Sequence, residues 1–164
     1  MNFFYLIILL LFSTSIQANV KVNSIIKLKE NIPEECGLSF SNEKEEFTAE
    51  LTVKKNDTND TLTFFKVNSK NLNIDGANLR SFSNDINNIL GVKPEINDGF
   101  TISNITKNDD MALFFQEILI GNSNLIINGK NYEIKGPIDS KVRLEYLFCT
   151  GEMFLPNYEA NQNE

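Results

Sequence analysis

The sequence predicts an α+β fold: a mainly antiparallel β-sheet with two packed helices, closed into a single domain by one disulfide. Three observations carry this expectation. Apolar and polar residues alternate through Phe47–Lys54, the pattern of a strand with one buried and one wet face. The apolar period lengthens to helical spacing twice, before Gly91 and before Gly121. Finally, the chain has two cysteines, Cys36 and Cys149, and most of the patterned sequence lies between them.

Before the domain, residues 1–18 (MNFFYLIILLLFSTSIQA) read as a secretory signal peptide, with an apolar run from Phe3 to Phe12 followed by small and polar residues. That run is about half the roughly 20 residues that span a bilayer, and no later segment approaches it, so no transmembrane segment is expected in the mature chain. Cleavage is expected near Ala18; Ser15 fits the small-x-small preference better, because Ile16 precedes Ala18 by two. The protein is therefore expected to be exported, periplasmic or secreted. In such a compartment an even cysteine count favours a disulfide. On a loop-entropy argument, closing a loop of about 110 residues contributes roughly 4–5 kcal/mol.

Residues 19–154 are expected to form the domain. Val20–Lys29 suggests a strand, broken at Asn31-Ile32-Pro33, and Cys36–Phe40 a short second one. In the next strand Phe47, Ala49, Leu51 and Val53 share the buried face, and Thr61–Asn68 returns as its hairpin partner. Leu72 and Ile74 suggest a short strand. From Ala77, Leu79, Phe82, Ile86 and Leu90 fall at helical spacing, with Gly91 as the stop and Pro94 beyond it. Phe100 and Ile102 mark a further strand. A second helix is expected over Met111–Ile120, capped by Asp109 or Asp110 and ended by Gly121. Asn128-Gly129 is a strong hairpin signal. Lys141–Cys149 fits two patterns: a strand, favoured by the alternation of Val142, Leu144, Tyr146 and Phe148, or a helix capped by Ser140 with Leu144, Leu147 and Phe148 on one face. Residues 155–164 are polar, contain Pro156, and read as a disordered tail.

Composition narrows the chemistry. The net charge of −7 argues against nucleic acid or an anionic membrane surface as partner, since both attract clustered Lys and Arg. The chain has no histidine, so Ser-His-acid triads, Cys-His dyads and imidazole-ligated metals are not available to it. No cofactor and no metal are expected. Asn71-x-Asn73-x-Asp75-Gly76 imitates half a calcium loop, but Phe82 stands where a bidentate Glu is required. Ser69-Lys70 lacks catalytic spacing. Asn56, Asn59 and Asn104 begin glycosylation sequons, but with 24 Asn in the chain about three arise by chance.

The expected function is therefore that of a small non-enzymatic exported protein acting through an unknown protein partner or another envelope-associated interaction. An alternative is a carrier of an apolar ligand, a lipid or hydrophobic peptide, in a helix–sheet pocket. A second alternative is a carboxylate-based hydrolase, which needs two neighbouring acids. The phenylalanines fall mostly on faces expected to be buried. The doublets Phe64-Phe65 and Phe114-Phe115 are the candidates for an apolar binding patch; neighbours in a strand point to opposite faces, so one of Phe64 and Phe65 must be covered by something other than the main core.

Overall fold

A computed structural model describes residues 20–55 and 60–153. The expected signal peptide, the tail, Phe154 and the sequons at Asn56 and Asn59 lie outside the described residues. Four strands follow one another as a meander: β1 (Lys21–Lys29), β2 (Ile32–Asn42), β3 (Phe47–Lys55) and β4 (Thr61–Ser69). The sheet is completed by β7 (Phe100–Thr106) beside β4 and the short β6 (Glu95–Ile96) at the far edge. Every pairing is antiparallel.

The register explains the core. Two rows of side chains cross the sheet on one face: Val22, Phe40, Ala49, Val67 and Phe100, then Ser24, Leu38, Leu51, Phe65 and Ile102. From Phe40 and Leu38 onward these side chains are buried. On the opposite face Lys27, Glu35 and Lys54 stand side by side, and Glu35 is ion-paired at 3.1 Å to Lys27 and 3.2 Å to Lys54. Fixing this alternation across five strands is what a period of two in the sequence does. The outer edge, β1, carries Lys21, Lys27 and Lys29, charges that discourage a further strand from pairing there.

A second, three-stranded sheet has the order β5 (Ala77–Arg80), β8 (Ser123–Ile127) and β9 (Lys130–Ile134). Asn128 (φ 49°) and Gly129 (φ 78°) make the tight turn between β8 and β9, with two left-handed residues as a two-residue hairpin prefers. Asn128 also accepts from the backbone N–H groups of Asp75 and Gly76 and donates to the Asn73 carbonyl. The calcium-loop lookalike is thus the loop that Asn128 pins. For the same reason Leu72–Ile74 is not the expected strand; Ile74 is buried from a loop. Tyr132 of β9 meets Phe47 of β3 edge to face at 4.7 Å, joining the two sheets.

Among the described residues there are three helices: α1 (Ile86–Leu90), α2 (Asn108–Ile120) and α3 (Ser140–Met153). The expected helix from Ala77 is corrected to a strand followed by the short α1, and Phe82, expected to be buried, is 92% exposed. The buried residues Leu79, Ile86 and Leu90 imitate a single helical stripe, but they come from two elements. Side-chain bonds from Asn78 and Asn87 hold strand and helix together, and Asp85 caps α1 through Asn88 N–H. In α2, Asp109 and Asp110 sit inside the first turn rather than capping it; Lys107 occupies the cap position without a side-chain bond. Their charge still suits the positive end of the helix.

The favoured strand over Lys141–Cys149 is also corrected: α3 is a helix. Its cap is Asp139, whose carboxylate accepts from Lys141 N–H at 2.8 Å, not Ser140. Val142, Tyr146, Cys149 and Met153, spaced four, three and four apart, form its buried stripe. A strand would have divided these four between opposite faces. The Cys36–Cys149 disulfide is present, with Cα atoms 5.8 Å apart, and ties α3 to β2. No helix among the described residues is long and apolar enough to cross a membrane.

Candidate functional site

A groove lies between α2 and α3. It follows from how the two helices are anchored. The N–H of Ile138 donates to the carbonyl of Leu119 at 3.1 Å, which starts α3 beside the end of α2. Phe115 and Tyr146 then stack near the middle of each helix, with ring centroids 4.5 Å apart and planes 22° apart. At the far end, Thr61 of β4 donates to the Asn108 side chain, holding the start of α2 against the sheet. The helices therefore run in opposite directions along the groove.

The groove has a volume of about 940 Å³, near the upper end of the roughly 300–1,000 Å³ usual for small-molecule sites. Val53, Phe115 and Tyr146 lie among its lining residues, with Met111, Ala112, Leu119 and Ile120 contributed by α2 and Leu144 and Leu147 by α3. Ile120, Leu144 and Leu147 are each more than half exposed, an arrangement that leaves apolar surface open to solvent. Burial pushes the Tyr146 phenol far above its ordinary pKa, so it stays neutral.

Among the described residues two charged ones line the groove, near opposite ends. Asp109 belongs to the first turn of α2. Arg143 belongs to the first turn of α3, beside the last turn of α2. Among the described residues the Arg143 guanidinium has no hydrogen-bond or ion-pair partner, and its Nε atom is buried without one. Glu145, two residues on, is engaged elsewhere: it accepts from Ser24 of β1 and lies 3.7 Å from Lys141.

The carboxylates that the fold moves are lowered rather than raised. Burial pushes Glu35 up, but hydrogen bonds from Lys27, Thr52 and Lys54 outweigh it and hold the group below its usual range. Glu45 is lowered by Lys130 and Tyr132, and Glu117 by the hydroxyls of Ser81 and Ser83. Each stays ionised and clamps a loop or strand, whereas a general acid working near neutral pH needs the opposite shift.

The four phenylalanines of the expected patch form no shared exposed surface: Phe65, Phe114 and Phe115 belong to the buried core. Phe64 lies on the open face of the sheet beneath the Lys66 ammonium, 5.5 Å from its ring centroid. Phe115 alone lines the groove, and it is itself buried. The residues that sequence reasoning did not single out as a site are Arg143, Leu144 and Leu147. The signal was present: read as a helix, 140–153 carries two apolar stripes, and only one can face the sheet. Compared with models of protein families, with curated proteins and with solved structures, the chain matches none.

Proposed function

We propose that this chain is an exported, non-enzymatic binding protein that carries an apolar ligand in the groove between α2 and α3. The observation that carries the reading is the groove itself: an open trough lined mainly by apolar side chains, on a scaffold held by a disulfide and two sheets. The apolar leader-like run and the disulfide support the exported part. Carrying a ligand needs no histidine and no reacting pair of acids, which agrees with the composition.

Native mass spectrometry of the protein from its own source tests this directly: it is expected to show a co-purified apolar molecule. In vitro, an environment-sensitive apolar fluorophore is expected to brighten on binding, and Leu147→Asp to abolish the effect by placing a charge in the trough. A dye that brightens equally with the variant would sink the reading.

A second reading, docking of a partner protein, is favoured by one further observation. Phe148 is 68% exposed and lies outside the groove, next to Leu144 and Leu147 on α3. Phe148→Ser is expected to leave groove binding unchanged if the ligand is small. An interface spread over α3 would instead lose about 1–2 kcal/mol of affinity, the scale of an aromatic contact at an interface.

A further inference from the structure

We infer that the groove's ligand is a single-chain amphiphile with one anionic head, and that Arg143 binds that head. The inference rests on the carrier reading and names the class of ligand. The chain has 22 acidic residues against 15 basic ones, and four of those 15 are ion-paired among the described residues. They are Lys27, Lys54, Lys130 and Lys141. Arg143 has no such partner among the described residues, although its Nε is withdrawn from water. A buried donor left unpaired is costly, and the cost is recovered when an acceptor arrives.

The position of Arg143 makes the acceptor part of a groove ligand. It is the one cationic residue in the lining among the described residues, and the apolar stretch of Phe115, Tyr146 and Met111 extends from it toward the other end. Ser140, one turn earlier on α3, lines the same end and adds a hydroxyl. At the opposite end Asp109 repels an anion, so the ligand is oriented with its head at Arg143 and its chain along the floor. The dipole at the C-terminal end of α2 favours the guanidinium, although the first turn of α3, to which Arg143 belongs, opposes it. That interaction gives Nε no acceptor, so it does not replace a ligand. The planar fork suits a carboxylate or a phosphate ester, either of which takes two parallel bonds. The head is thus the carboxylate of a free fatty acid or the phosphate of a lysophospholipid.

The test uses the whole chain after its leader and displacement of a bound apolar fluorophore. Palmitate, lysophosphatidylglycerol and the uncharged hexadecanol are compared below their micelle concentrations. At least one anionic amphiphile is expected to bind about tenfold or more tighter than hexadecanol, the factor that one charge-assisted hydrogen bond supplies. Preference for palmitate assigns the carboxylate, and preference for the lysophospholipid the phosphate. Arg143→Met is expected to bring the preferred anion down to the level of hexadecanol, and Arg143→Lys to keep part of the preference. If the methionine variant does not fold by thermal melt, the wild-type comparison decides alone. Hexadecanol binding as tightly as both anions overturns the role of Arg143 while leaving the carrier reading intact. Failure of the fluorophore and all three amphiphiles to bind overturns both.

Discussion

The two long helices are held in place by different means. The 13-residue α2 buries Met111, Phe114, Phe115, Ile118 and Leu119 and leaves Leu113 and Ile120 exposed. The 14-residue α3 buries Val142, Tyr146, Cys149 and Met153 while Leu144, Leu147 and Phe148 stay in solvent. For α2, burying the most apolar stripe is enough to explain its orientation. For α3 it is not, because the stripe it presents to solvent is as apolar as the one it buries. Its orientation is chosen by the bond from Cys149 to Cys36 on β2, by the Asp139 cap and by the stack of Tyr146 on Phe115. A helix turned by a covalent tie rather than by hydrophobicity leaves an apolar face free to line a groove.

The largest test of this contrast is removal of the tie. Cys149→Ser is expected to cost up to about 4–5 kcal/mol, and Cys36→Ser and the double variant the same, because each opens one loop of 113 residues' separation. Urea unfolding monitored by circular dichroism measures it; a cost under about 1 kcal/mol would mean that α3 is held by packing, as α2 is. Next in size, Phe114→Ala in α2 is expected to cost about 3–5 kcal/mol, the usual range for deleting a buried aromatic ring.

A smaller effect separates the helices by pH. Glu117 of α2 accepts from Ser81 and Ser83, which lowers its pKa, and Glu35 and Glu45 are lowered likewise. A carboxyl with a lowered folded pKa contributes stability that is complete above its unfolded pKa of about 4.3 and is lost as pH falls through the folded value. Melting temperature is therefore expected to fall as pH drops below about 5. Glu117→Gln is expected to lower stability by about 1 kcal/mol at pH 7 and by less at pH 2, as the wild-type carboxyl takes up its proton in acid. An equal loss at both pH values would show that the bond does not depend on the charge. Smallest of all, Leu147→Ala in α3 is expected to change stability by no more than about 0.5 kcal/mol, as for an exposed residue. A loss well above that would place Leu147 in the core and close the groove.

What could be read from the residues alone follows from local physics. β3 and β4 were legible because a sheet with one wet face imposes a strict alternation. The Asn128-Gly129 turn was legible because few residues tolerate two left-handed positions, and α2 because its stripe ends at Gly121. Lys141–Cys149 misled because its apolar residues satisfy both periods at once. Phe82 misled because residues of a strand and of a separate helix happened to fall at helical spacing. Half of the candidate site was hidden with them: Phe115 was singled out, but for an exposed patch rather than a groove floor.

From the residues alone came an acidic α+β chain without histidine chemistry, in which Cys36 and Cys149 were the available disulfide pair. These are properties of composition and of short-range pattern. It took the meeting of distant segments to set which face of α3 turns inward, that Asn128 pins a loop more than fifty residues away, and that Arg143 ends without a partner among the described residues beside an apolar trough. A period of 3.6 makes a helix with two apolar stripes, and the neighbour it is tied to selects which stripe is left for a ligand.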